Sequence, residues 1–287
     1  MGTNAEPRIF AIDGADGVRL RCMRWGDSPR VVVAVHGMNA HGMHWRRPAE
    51  QLLPDYSLIA YDLRGHGESG KPETGYSYEH YTEDLARVIA ETTTEPPVLV
   101  GHSLGGRISI PYAAERPLRA YVVVDPGIVP LEDYGHASSR RRRDESEMRF
   151  VYESREAYIE RMRHSTFLRK WSHYAEEYAA GCIEPTGEGE TVRLCFRLQA
   201  LREITASIRA VDLLAYIPRI ACPTLVMRAT EGHMRADVAD RIVRDLPNGR
   251  LTLIEHANHN VMLDEPEQFD RALRSFLDEV YAGGGAK

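Results

Sequence analysis

Lysine is nearly missing from this sequence of 287 residues: three, at positions 71, 170 and 287, stand among 36 basic residues. The arginine excess reads as the habit of a GC-rich genome rather than a demand for guanidinium chemistry. Cysteine is scarce too. Cys22, Cys182, Cys195 and Cys222 form no C-x-x-C pair and sit beside no histidine at metal-ligand spacing, so no metal site is expected. They read as reduced, packed thiols of a cytoplasmic protein. No run approaches the ~18 apolar residues that a membrane-spanning helix requires. Met1–Pro7 is polar and lacks the basic start and apolar run of a secretory leader. A formal charge of −6 and a pI near 6.1 leave no basic surplus for nucleic acid or an anionic membrane. No internal repeat appears, and only Ala282–Lys287 reads as a disordered end.

What is present is an ordinary globular composition, long enough for one α/β domain with an insertion or for two small domains. Apolar runs of strand length alternate with helical patterns. Arg8–Ile12 and Val18–Trp25 read as strands joined by the turn Asp13–Gly17, and Val31–Val35 as a strand buried on both faces. Ser57–Tyr61, Val98–Val100 and Ala120–Val124 follow as strands, separated by helices at Trp45–Leu53, Tyr78–Glu91 and Leu104–Glu115. Pro111 inside the last of these should kink it. After Pro126 the alternation stops, and helical spacing covers Asp144–Tyr152, Arg155–Phe167, Tyr174–Ala180 and Thr191–Ala206, with Glu184–Gly189 as a break. Alternation resumes with a strand at Thr224–Met227, a helix at Arg235–Leu246, a strand at Leu251–Ile254 and a helix at Pro266–Tyr281. The reading is a mostly parallel eight-stranded sheet with helices on both faces, built from residues 1–126 and 216–287. Residues 127–215 form an inserted helical cap over the carboxyl ends of the strands, where ligands bind.

Chemistry concentrates at three places. Gly101-His102-Ser103-Leu104-Gly105-Gly106 follows a buried strand and opens a helix. That is G-x-S-x-G in its required context: the serine stands on a sharp strand-to-helix turn, the glycines remove Cβ atoms that would collide, and the helix N-terminus favours an anion. Val35-His36-Gly37-Met38 ends the third strand, where a second backbone donor, Met38 N–H, would join Leu104 N–H in an oxyanion hole. His36, Gly37, His102 and Trp45 are candidates to line the substrate site, with Trp171 from the insertion. His259, after the last strand, is the candidate general base, with His256 as rival. The acid that orients it has two candidates, Asp125 at the end of Val122-Val123-Val124-Asp125 and Glu231 after the Thr224–Met227 strand.

Together, His-Gly after the third strand, Asp62-Leu63-Arg64-Gly65-His66-Gly67-Glu68-Ser69, G-H-S-L-G-G, and Asn258-His259-Asn260 before Pro266-Glu267-x-Phe269 resemble the α/β-hydrolase superfamily over nearly the whole chain. The resemblance implies a serine hydrolase with a helical cap, needing no cofactor, in which Asp62 and Arg64 belong to a structural loop. The departure is the loop after the seventh strand, which lacks the usual aspartate. Some relatives with that departure draw the acid from the sixth strand, which puts Asp125 ahead of Glu231. Serine at 103 separates the chain from dehalogenases and epoxide hydrolases, which carry aspartate there. The expected reaction is hydrolysis of a small-molecule ester or lactone. The alternatives are a C–C bond hydrolase with the same triad, a cofactor-free oxygenase, and a non-catalytic ligand receptor. Either a monomer or a homodimer fits. Arg140–Arg143 is followed at once by Asp144 and Glu145 and reads as a solvated helix start rather than an anion site.

Overall fold

The structure, a computed structural model, describes residues 6–130, 133 and 150–283. The chain opens with β1 (Arg8–Asp13), β2 (Arg19–Trp25) and β3 (Val31–Val35), then α1 (Arg46–Leu52), β4 (Ser57–Tyr61) and α2 (Tyr78–Thr92). β5 (Val98–His102), α3 (Leu104–Glu115) and β6 (Ala120–Val124) follow. Next come β7 (Val151–Tyr152), α4 (Arg155–Arg163), α5 (His173–Gly181), β8 (Ile183–Pro185), β9 (Val192–Leu194) and α6 (Leu198–Arg209). The chain closes with β10 (Thr224–Ala229), α7 (Ala236–Asp245), β11 (Gly249–Ile254), α8 (Val261–Asp264) and α9 (Pro266–Gly283).

Eight strands form one sheet in the order β1-β2-β4-β3-β5-β6-β10-β11. β2 runs antiparallel to β1 and β4, and every later neighbour pair is parallel. β4, β5 and β6 are buried at every residue, as their unbroken apolar runs demand when helices cover both faces. One core cluster joins Leu85, Ile108, Ile204 and Ile242 from α2, α3, α6 and α7. A second joins Trp45, Leu52, Phe269 and Leu273 on the opposite face, and a third gathers Tyr158, Ala175 and Tyr178 between β6 and β10. These are the eight strands that the sequence predicts, with ends differing by a residue or two. Among the described residues, no helix is long and apolar enough to cross a membrane.

Between β6 and β10 the mainly helical expectation needs correction. β7, β9 and β8 make a small antiparallel sheet, and Glu184–Gly189, read as a break between helices, begins within β8 and runs on into its connection to β9. Thr191–Ala206 is therefore a short strand followed by α6, and the end of the predicted Asp144–Tyr152 helix is β7. Strands of two or three residues are too short to print an alternation that could outweigh the helical spacing around them. The Arg140–Arg143 run lies outside the described residues, as do residues 284–287, whereas Ala282 and Gly283 complete α9.

Helix α3 runs on through Pro111. Pro111 has no N–H to offer the carbonyl four residues back, that of Arg107, and the Tyr78 hydroxyl donates to that carbonyl instead. The vacated acceptor is used to tie α2 to α3. Arg64 and Asp84 are wholly buried and paired two-fold, Nε to Oδ2 and Nη2 to Oδ1, both at 2.6 Å. This fastens the Asp62–Ser69 loop to α2, the structural role expected of it. Asp62 anchors that loop itself by accepting from the N–H groups of Gly42 and Glu68.

Asp270 on α9 is less well matched. Its Oδ2 accepts from Arg47 at 3.2 Å, but its buried Oδ1 has no hydrogen-bond partner. Burial pushes this carboxyl up to about 6, against the pull of the Arg47 charge. A carboxyl raised on folding stabilises the protein below its unfolded pKa and loses that contribution as pH rises through the folded value. The stability of the wild type relative to Asp270→Asn should therefore be greater at pH 4 than at pH 7.5, by on the order of 2 kcal/mol. Denaturant unfolding of both proteins at the two pH values checks this; a pH-independent difference would contradict the assignment.

Candidate active site

Ser103 sits between β5 and α3 with φ 54° and ψ −116°. Such a backbone is costly for a side-chain-bearing residue and persists only where its surroundings enforce it. They do so through glycine. A Cβ on Gly101 would lie 2.7 Å from Gly105 O and Gly106 Cα, and one on Gly105 would strike the Val35 carbonyl. The hydroxyl is thereby held at the start of α3.

His259 bridges two partners. Its Nε2 lies 2.7 Å from Ser103 Oγ and its Nδ1 lies 2.6 Å from Asp125 Oδ2. Asp125 is fully buried, with φ 40°, at the end of β6. Its Oδ2 also accepts from His233 N–H at 2.7 Å and its Oδ1 from Met234 N–H at 3.0 Å. Burial alone would raise this carboxyl. The hydrogen bond and charge of His259, with the two backbone donors, outweigh it and hold Asp125 below the usual aspartate value. An ionised Asp125 keeps the hydrogen of His259 on Nδ1 and leaves Nε2 to accept from Ser103.

The other acid candidate is turned away. Glu231 is exposed and pairs through both oxygens with Arg169, at 2.8 and 2.5 Å. It makes no contact with His259 in that pairing, so the geometry departs from its reading as the orienting acid. His256 is exposed, and its carbonyl serves Arg169.

Of the residues expected to line the substrate site, Gly37 is beside the serine: a Cβ there would come 2.9 Å from Ser103 Cβ. Met38, next in the loop, and Leu104, the first residue of α3, carry the two backbone amides read as oxyanion donors. Leu104 N–H falls in the first helical turn, where amides have no intrahelical acceptor. His36 faces inward. Its Nδ1 donates to the Gly37 carbonyl at 2.7 Å and its Nε2 accepts from Leu63 N–H at 2.9 Å, which uses both ring nitrogens to position the loop. Burial holds it neutral, well below the usual histidine value. His102 Nε2 donates to the His259 carbonyl at 2.8 Å, and burial, with His259 next to it, lowers this ring to about 3. Both histidines shape the site from behind.

Trp45 and Trp171 are corrections. Trp45 is fully buried in the core against Phe269, at 6.3 Å between ring centroids. A 3-10 turn at Gly42–Trp45 follows the His-Gly loop, ahead of α1, and carries this ring inside. Trp171 is half-buried against the cluster of Tyr158, Leu168 and Ala175, beside Arg163 and Glu176.

The parts played by several neighbours show only in the fold. The His233 ring stacks on His259, with centroids 3.7 Å apart. It stands in the loop flagged for Glu231, and no local pattern separates it from a solvated residue. Asn258 and Asn260 donate to the carbonyls of Thr166 and Phe167 at 3.0 and 3.1 Å, tying the His259 loop to the chain inserted after β6. Among the described residues, Asp125, His233 and His259 also form a group whose ligand-type atoms lie within 4.8 Å of one another. Two of the three are already bonded to each other, as an acid–base pair would be.

The chain is similar to known proteins over most of its length. The sequence profile described as alpha/beta hydrolase family matches residues 32–272. N-formylmaleamate deformylase of Pseudomonas putida is 27% identical, over 92% of this chain and 94% of that protein. A non-heme chloroperoxidase of Kitasatospora aureofaciens is 25% identical, over 92% and 98%. Among solved structures, E-2-(acetamidomethylene)succinate hydrolase superposes with a TM-score of 0.80 at 24% identity, covering 95% of this chain and 99% of that one.

Proposed function

The chain belongs to the alpha/beta hydrolase family, and we propose that it hydrolyses a small-molecule carboxylic ester or lactone through an acyl-enzyme on Ser103. The observation that carries this reading is the unbroken line from Ser103 Oγ through His259 to Asp125, at 2.7 and 2.6 Å. Ser103 Oγ bonds to the carbonyl carbon as His259 Nε2 takes its proton, and the carbonyl electron pair moves to oxygen. The N–H groups of Met38 and Leu104 receive that oxyanion, each worth about 2.7–4 kcal/mol in such sites. Collapse expels the alcohol, which leaves with the proton from His259. Water then repeats the sequence on the acyl group and returns Ser103. Asp125 balances the imidazolium at both proton transfers.

Intact-mass labelling with a fluorophosphonate tests the reading. One adduct is expected on the wild type and none on Ser103→Ala. A wild type that gains no adduct, or a Ser103→Ala variant that still gains one, would overturn it. So would oxygen uptake with an aromatic substrate, or binding without turnover.

A second reading has one observation behind it: the deformylase relative, 27% identical, is named for cleaving an N-formyl group. The same site would then release formate and an amide, with His259 protonating nitrogen instead of oxygen. A higher kcat/KM on N-formyl amides than on matched p-nitrophenyl esters and lactones selects this reading, and the reverse ranking selects the first.

A further inference from the structure

Cys182 stands just before β8 and Cys195 just after β9, at the same end of the pair. The register pairs Ile183 with Leu194, Glu184 with Arg193 and Pro185 with Val192, so the next pair outward is Cys182 with Cys195. Cys195 N–H donates to the Cys182 carbonyl at 2.9 Å, which closes that pair with a backbone bond. Cys182 keeps the helical backbone of the end of α5, φ −80° and ψ −1°, and gives its own N–H to Ala179, so this single bond is what holds the two cysteine backbones side by side. Both thiols are free and buried. Cys195 Sγ lies 3.3 Å from the Gly181 carbonyl, against the peptide bond that leads into Cys182.

The second thiol touches the catalytic loop. Cys182 Sγ donates to the Asn39 carbonyl at 3.2 Å. Asn39 has φ 61° and sits in the turn closed by Ala40 N–H on the Gly37 carbonyl, the turn that carries Met38. The same loop leans on α5 through His41, whose Nε2 lies 2.9 Å from the Tyr178 carbonyl. Cys195 also lines a cavity of about 610 Å³ with His41, Gly181 and Lys71, a route for a small oxidant.

We propose that Cys182 and Cys195 form a dithiol that a peroxide oxidises to a disulfide, and that this bond pulls the Cys182 sulfur off the Asn39 carbonyl and loosens the oxyanion loop. The balance is that of any dithiol with hydrogen peroxide. Cys195 sulfur attacks one peroxide oxygen, becoming a sulfenic acid as the first water leaves. Cys182 sulfur then displaces the second water, so that two thiols lose two hydrogens and one peroxide is reduced. Burial keeps both thiols protonated, Cys195 near 11, so the reaction is slow and answers to sustained oxidation.

The test treats the folded full-length protein with hydrogen peroxide and maps non-reduced peptides. It then follows amide hydrogen exchange of residues 36–42 and the rate of fluorophosphonate labelling. A Cys182–Cys195 peptide pair is expected, with faster exchange in 36–42 and labelling slowed at least ~10-fold, all restored by dithiothreitol. Cys195→Ser should label like the untreated wild type before and after peroxide. Absence of the pair, a pair with unchanged exchange in 36–42, or equal peroxide inactivation of Cys195→Ser would each overturn the proposal. The peptide pair and the exchange readout do not depend on ester hydrolysis, so failure of the hydrolase reading would appear separately, as an untreated wild type that does not label.

Discussion

Turnover of a good ester substrate is expected to fall on the order of 10^6-fold in Ser103→Ala, about as far in His259→Ala, and no further when both are replaced. The reason lies in the geometry of the pair. Ser103 Oγ and His259 Nε2 share one hydrogen at 2.7 Å, so each residue supplies half of a single event, bond formation with proton removal. A serine hydroxyl without a base at hydrogen-bond distance is a poor nucleophile at neutral pH, and an imidazole without the hydroxyl has nothing to activate except water at the wrong place. Once either half is missing the other contributes nothing to lose. What remains in all three variants is the oxyanion loop, because His36 holds it through Leu63 and Gly37 without help from Ser103. Residual rates above water, equal in the three variants, are therefore expected in steady-state assays. A double variant much slower than either single one would mean that the two side chains act in separate steps.

The turn that presents Ser103 could be read from the sequence because its requirements are local. A sharp turn between a buried strand and a helix needs glycine at 101 and 105, where added Cβ atoms meet Gly106 Cα and the Val35 carbonyl, so the constraint prints itself within five residues. The long apolar runs that make β3 to β6 are local in the same sense. The acid is different. Asp125 reaches His259 because β6 lies beside β10, with Asp125 N–H on the Met227 carbonyl, and because the loop after β10 folds His233 and Met234 over the carboxylate. That is a fact about pairing between distant segments, and neither candidate's own neighbours contain it. Trp45 shows the same limit from the other side: proximity in sequence to the His-Gly loop says nothing about which way the first turn of a helix points its ring. The strands β7 to β9 are too short to carry a period at all.

Asp125→Asn is expected to cost about 10^4-fold in turnover, whereas Glu231→Gln should stay within about fivefold of the wild type. Both oxygens of Asp125 already accept from backbone N–H groups, Oδ1 from Met234 and Oδ2 from His233. An asparagine amide must put its NH2 against one of them. If it faces Met234, two donors meet in a buried site. If it faces His233, it also meets His259 Nδ1, which must then give up its hydrogen to Nε2, and an Nε2 that carries a hydrogen cannot take the proton of Ser103. Either arrangement removes the negative charge that balances the imidazolium. Glu231 meets none of these constraints: it makes a half-exposed ion pair with Arg169, at 48% and 41% side-chain exposure, and such pairs contribute at most about 1 kcal/mol. Fluorophosphonate labelling rates and ester kinetics on both variants decide the matter. Equal losses, or a larger loss in Glu231→Gln, would mean that the acid acting on His259 during turnover is not the one 2.6 Å from it in this structure.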